Sequence, residues 1–284
     1  MPATSQSGPA PSPRDAATVI VLRDAPGAPQ LCMLRRHRRS GFAADAWVFP
    51  GGVVDAADRA LAPARWRGIA PDDLAPYFGR PPDLVVGLHV AAVRETFEEA
   101  GLLLATTADG APVDLGDPDV RRMRTALAAR AAGGVEFADW LTRRDLTLTL
   151  DALTYLSRWI TPLAEPKRYD TCFFLARAPE GQVADHDRVE TTDQRWLSAA
   201  QALEQHRAGE LHLIFPTIRT LEAIAAFDSV GAAVAAAAAQ PEIHSVRPHM
   251  VKDPGGWRIV HPDDPDYPHE VADADRDTAT GTAR

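Results

Sequence analysis

One stretch constrains this chain more than any other: Arg94-Glu95-Thr96-Phe97-Glu98-Glu99-Ala100-Gly101. Leu84, Leu88, Ala91, Ala92 and Phe97 recur at helical spacing up to and into it, and Gly101 is a natural helix stop. On that helix Glu95, Glu98 and Glu99 stand at i, i+3 and i+4. At about 100° per residue they share one face, one turn apart. Three like charges so placed repel one another and destabilise a bare helix. A solvated acidic face is the ordinary reading of such a run. The other is that a cation compensates the carboxylates, and a hard divalent ion with oxygen ligands does so directly.

The upstream sequence favours the cation. Phe49-Pro50-Gly51-Gly52 is followed by Val53-Val54-Asp55. Two adjacent glycines after a short strand allow close backbone approach, which can bring a carbonyl against a metal. Arg94 can pair with a loop carboxylate, and Asp58 is best placed for it, because a guanidinium fork matches a carboxylate.

Composition narrows the classes. A length of 284 residues suits one large domain, or one domain with extensions. Acidic residues outnumber basic ones, 39 to 30, which argues against non-specific nucleic-acid binding. No segment reaches the roughly 18 apolar residues of a membrane span. Residues 1–15 lack the basic-then-apolar order of a secretory signal, and the final Thr-Gly-Thr-Ala-Arg is not a peroxisomal address. The expectation is a soluble cytoplasmic protein with no nucleic-acid or membrane partner. Cys32 and Cys172 lie in apolar, strand-like runs and are expected to be buried thiols in a reducing compartment.

Along the chain, residues 1–15 read as a disordered tail with almost nothing to bury. Strands are expected at Thr18–Leu22, Leu31–Leu34 and Trp47–Phe49. Prolines 63, 71, 76, 81 and 82 make 56–83 read as an irregular insertion with one short helix near Pro71–Tyr77. After the central helix, Leu102–Leu104 can form a strand, and Asp117–Ala131 and Glu136–Leu141 read as helices. Leu153–Thr161, Thr171–Ala176 and Gln194–Leu197 read as strands. Ser198–His206, Pro216–Phe227 and Val230–Ala239 read as helices, and Ser198 is an N-cap. Residues 230–284 are expected to be a C-terminal extension: that last helix, a hairpin of Glu242–Val251 with Trp257–Val260, and a disordered end. Strands and helices intermix, so the class is α/β or α+β.

The quoted residues resemble the Nudix box, G-x5-E-x7-R-E-U-x-E-E-x-G-U, where U is a bulky aliphatic. Gly52 takes the first Gly, Asp58 the Glu slot, and Arg94, Glu95, Glu98, Glu99, Gly101 and Leu102 the second half. The first U is Thr96, and the seven-residue gap has become 35 residues, Arg59–Val93. This split box resembles the Nudix branch that includes the peroxisomal coenzyme A diphosphatase. Trp159-Ile160-Thr161-Pro162, Lys167–Phe174, Glu190 and Arg195-Trp196-Leu197 agree with it.

The resemblance implies an α/β/α sandwich around a mixed sheet over residues 16–229. It implies hydrolysis of a nucleoside diphosphate derivative with Mg²⁺ or Mn²⁺. The first substrate choice is CoA or acyl-CoA, giving 3′,5′-ADP and (acyl-)phosphopantetheine. The alternatives are ADP-ribose, NADH or another nucleoside diphosphate derivative, or a non-catalytic ligand-binding regulator. Glu98 and Glu99 are the implied metal ligands. Glu95 is a further ligand or orients the water, and the Gly51 carbonyl can add a ligand. Arg94 is implied to lock loop to helix, and Glu190 to supply a catalytic loop acid. Arg35, Arg36, Arg38, Arg39, Lys167 and Arg168 are the candidate phosphate partners. Phe42, Trp47 and Phe173 can stack on a base, although aromatics at strand positions are usually core. A homodimer is compatible with all of this.

Overall fold

Residues Arg14–Arg23 form strand β1, and its alternation builds the molecule. Ala17, Val19 and Val21 point to one face of the sheet; Ile20 and Leu22 point to the other. Each face therefore needs a cover. The computed structural model describes residues 12–38, 43–163, 165–243, 245–253 and 256–268. In order, β2 (Gln30–Arg36), β3 (Trp47–Val48), β4 (Gly51–Val53), α1 (Ala56–Arg59), β5 (Trp66–Arg67) and α2 (Pro71–Phe78) follow β1. Then come α3 (Pro82–Ala100), β6 (Ala105–Thr106), α4 (Pro118–Ala128), α5 (Gly134–Arg143), β7 (Thr147–Thr149), β8 (Thr154–Ile160) and β9 (Tyr169–Arg177). The rest is β10 (Thr191–Ser198), α6 (Ala199–Arg207), α7 (Phe215–Ile224), α8 (Val230–Ala238), β11 (Ser245–Val246), β12 (His249–Asp253) and β13 (Gly256–Val260).

The main sheet runs β10-β2-β1-β9-β8-β11, with β3 on β2 and β4 on β1. It is mixed: β1 runs parallel to β9 and antiparallel to β2 and β4. Helix α3 covers the face of Ala17 and Val19 through Val85 and Leu88, and α5 packs on α3, its Phe137 and Trp140 rings against Phe97. Helices α6, α7 and α8 cover the opposite face through Ala202, Leu221, Val230 and Ala233. The α/β/α sandwich is thus formed by two apolar layers on one sheet. Each large side chain fully buried in them contributes roughly 1.5–3 kcal/mol.

Several elements differ from the sequence expectations. Strand β1 begins at Arg14, inside the segment expected to be a tail. Residues 56–83 are not irregular, because Pro71 and Pro82 stand in the first turns of α2 and α3, where a missing N–H costs nothing. Leu102–Leu104 is not a strand; all three side chains are buried, and the pairing starts at Ala105. Helix α8 packs into the second layer and β11 joins β8, so the expected extension is continuous with the sandwich as far as Val246. The C-terminal hairpin is β12 with β13 only. Cys32 and Cys172 are buried, and burial pushes both thiols up to about 12. No helix among the described residues is long and apolar enough to cross a membrane.

Candidate active site

The acidic face of α3 is held against β4. Helix α3 ends where Gly101 takes the left-handed conformation (φ 68°) and donates its N–H to the Phe97 carbonyl. A side chain there would also strike the Arg124 guanidinium. Upstream, β4 pairs antiparallel with β1, setting Gly51 opposite Thr18 and Gly52 opposite Ala17. The Gly51 N–H donates to Glu99 Oε2 at 3.0 Å. A Cβ on Gly52 would lie 2.4 Å from the Glu95 carboxyl carbon. Gly52 thus lets the strand pass close under Glu95, and Gly51, whose Cβ would strike the Ala17 carbonyl and Thr18, lets it pair closely with β1.

Arg94 ties the two halves of the motif together. Its Nε donates to Asp58 Oδ1 at 3.0 Å, and its Nη2 to Asp58 Oδ2 at 2.8 Å and to the Val53 carbonyl at 3.0 Å. Its Nη1 donates to Glu95 Oε1 at 2.7 Å. Asp58 sits on α1 and accepts the Asp55 N–H as well, so the first residues of the insertion anchor the helix. Burial alone would lower the pKa of Arg94, but the hydrogen bonds of Asp58 and the charges of Glu95, Asp58 and Asp55 outweigh it and hold the guanidinium charged. The expected pairing of Arg94 with Asp58 is present as a buried fork.

The three glutamates are under-compensated. Burial raises the pKa of Glu98 to about 8, and the charge of Glu95 adds to it. Burial and Glu95 likewise push Glu99 well up, against the Gly51 N–H. Burial raises Glu95 too, with Arg94 opposing. Three buried oxygen donors short of positive charge suit a hard divalent cation. Among the described residues, however, no group of three or more His, Cys, Asp or Glu side chains is already arranged around a metal position. Glu95 is turned to Arg94 and Glu99 to Gly51. The donor chemistry fits; the side chains must turn to use it. The Gly51 contact at this face is its N–H rather than its carbonyl.

These carboxylates line a cleft of about 710 Å³, together with Arg14, Arg36, Arg130 and Glu190. Glu190 comes from the loop before β10 and pairs with Arg130, so the loop acid and the helix acids share one cavity. Arg36 carries a buried Nε with no hydrogen-bond partner among the described residues, and its charge acts on Glu99. Arg35 pairs with Asp45 at 2.8 Å, and Arg38 is largely exposed. Neither lines the cleft. Lys167 is exposed, and Arg168 is buried and donates to the Thr161 carbonyl. Arg39 and Phe42 lie outside the described residues. Trp47 is core, whereas Phe173 lines the cleft. Arg14 and Arg130 were not singled out in the sequence. Arg14 sat in the supposed tail, and Arg130 follows α4 in a left-handed residue (φ 54°) far from any motif.

A glycine strand under a helix that carries Arg94 and three carboxylates, inside an α/β/α sandwich, defines the Nudix hydrolase class. The NUDT19 Nudix domain family matches residues 78–224. The chain is 30% identical to the acyl-coenzyme A diphosphatase NUDT19 of Gallus gallus over 76% of its length and 69% of the relative's. It is also 30% identical to the Homo sapiens protein of that name, over 71% and 62%. A crystal structure of a Nudix hydrolase from Alicyclobacillus acidocaldarius superposes with a TM-score of 0.66 at 29% identity, covering 82% of this chain and 98% of that one. The chain belongs to the NUDT19 Nudix domain family and is a Nudix diphosphohydrolase. Enzymes of this kind generally use divalent metal ions.

Proposed function

We propose that this enzyme hydrolyses the diphosphate of CoA and acyl-CoA, giving 3′,5′-ADP and (acyl-)phosphopantetheine, with Mg²⁺ or Mn²⁺. One observation carries the reading. Arg94, Glu95, Glu98 and Glu99 line one cleft, with Asp58 forked to Arg94, in a chain whose relatives are named for acyl-coenzyme A diphosphate cleavage. Glu98, Glu99 and Glu95 would hold the metal. When bound, the ion neutralises charge on the diphosphate and lowers the pKa of a bound water. Arg94 keeps Glu95 and α3 in register with β4. Arg36 and Arg130 offer guanidinium donors to phosphate oxygens from the walls of the same cleft. In this reading Glu190, which lines the same cleft and pairs with Arg130, accepts a proton from the attacking water at its carboxylate.

The test is turnover of CoA, acyl-CoA, dephospho-CoA, ADP-ribose and NADH with each metal, products identified by mass. CoA species should yield 3′,5′-ADP, with solvent ¹⁸O entering one phosphate product. Dephospho-CoA should be poorer, because a remote phosphate supplies binding energy used at the reacting bond. Far more efficient hydrolysis of ADP-ribose or NADH would overturn the substrate assignment and leave the Nudix chemistry standing.

A further inference from the structure

The family match stops at residue 224, yet the cleft does not. Pro248 and Ile259 also line it, beside Trp159, Phe173 and Phe215. They come from the C-terminal β12–β13 unit, which the chain reaches through β11 on the sheet edge. Alternation along β13 explains the placement. Val260 is fully buried in a small core with Tyr267 and Val251. Ile259, on the opposite face of the strand, keeps 43% of its surface exposed. His261, just beyond the strand, lies 6.0 Å from the Trp159 ring and 6.3 Å from that of Phe215. The Tyr267 hydroxyl donates to the Arg247 carbonyl at 2.7 Å and ties the end of the unit to its beginning.

The cleft is thus chemically two-sided. One part is ionic: the α3 carboxylates, Arg36, Arg130 and Glu190. The other is an apolar wall of Ile259, Pro248, Trp159 and Phe215. A substrate matched to both must carry an ionic diphosphate and an apolar arm in one molecule. An acyl thioester on a long flexible arm has that form; a plain nucleoside diphosphate sugar does not.

We infer that the C-terminal hairpin is the acyl-chain selectivity element of this enzyme, with Ile259 as its principal contact. This rests on the CoA reading above for the identity of the head group. Burying an octanoyl chain against the wall removes apolar surface from water. An aspartate at 259 would place a charge where the chain packs.

The experiment compares the wild type with Ile259→Asp and Ile259→Ala on octanoyl-CoA and CoA. Ile259 is half exposed and outside the main core, and circular dichroism checks the fold of each variant. The quantity read is the octanoyl-CoA to CoA ratio of kcat/KM. If the wild type hydrolyses ADP-ribose and not CoA species, the same ratio is taken from the Ki values of the two CoA species against ADP-ribose turnover. That outcome overturns the substrate reading while still testing the wall. The expected result is a wild-type ratio favouring octanoyl-CoA that falls about tenfold in Ile259→Asp and less in Ile259→Ala. An unchanged ratio in both folded variants overturns the inference. So does an equal loss on CoA, octanoyl-CoA and ADP-ribose, which would mark the wall as an adenine-stacking surface.

Discussion

Two buried charge clusters among the described residues are built on opposite principles. In the first, Asp170 accepts from Arg158 at 2.8 and 2.7 Å and from Arg80, which also stands 3.6 Å from Asp15. Two arginines face two aspartates. Burial alone would raise Asp170, but the hydrogen bonds and charge of Arg158, aided by Arg80, bring its pKa below the usual value. In the second cluster Arg94 faces Asp58, Glu95, Glu98 and Glu99, and the glutamates are all raised. The first is balanced in charge, two against two, although burial raises Asp15 and the buried Nε of Arg80 has no hydrogen-bond partner among the described residues. The second carries negative charge that the protein does not balance, and that imbalance separates a site from a staple.

The largest effect should come from disturbing the unbalanced cluster. Glu98→Gln or Glu99→Gln should lower metal-dependent kcat by at least about a hundredfold. The metal-free melting temperature should stay level or rise, because a like charge is removed. Undiminished turnover in both variants would erase the distinction between the clusters. Stability should respond the other way round. Asp58→Ala and Asp170→Ala each strip buried guanidinium N–H groups of their forked carboxylate partner and should cost about 3–5 kcal/mol in urea unfolding. A cost below about 1 kcal/mol would mean that the pairs are not the locks their geometry suggests.

The clusters should also differ in pH dependence. Glu98 is raised from 4.5 to about 8, so the folded metal-free protein binds the extra proton and loses stability as pH rises through that window. Its metal-induced rise in melting temperature should accordingly be larger at pH 8 than at pH 5. Asp170 is lowered, so its stability is present above the ordinary aspartate value of 3.8 and lost as pH falls below it. Glu98→Gln should flatten the first slope alone. The smallest effect belongs to Tyr77→Phe, which carries no charge in either cluster. It removes one hydrogen bond, from the Tyr77 hydroxyl to the Gln240 carbonyl, and should cost about 1 kcal/mol with turnover unchanged.

The legible parts of the sequence were those where one local signal implies one geometry. The i, i+3, i+4 acids, the Gly101 stop and the Arg94–Asp58 fork could all be read in advance. What escaped depended on distant partners. Strand β4 is three residues long and exists because β1 pairs with it. Arg130 reaches the cleft because α4 ends beside Glu190. Prolines misled for a local reason: the residue that breaks a helix interior also opens a helix. Arg168 looked like a phosphate partner from its charge, but its head group is turned to the Thr161 carbonyl.

The insertion closes on itself. Arg59 pairs with Asp83, and Gly87 lies against the Arg59 side chain, so the segment leaves and returns at one point of the surface of α3. None of its residues from 60 to 82 lines the cleft. Chain closure penalises length only logarithmically, about 0.6 kcal/mol per doubling of a flexible loop. The segment is nevertheless not a free loop: Leu61 and Phe78 pack into the main core and Arg80 reaches Asp170. For an engineer the chord between Arg59 and Asp83 is therefore a port only for a module that keeps those three anchors.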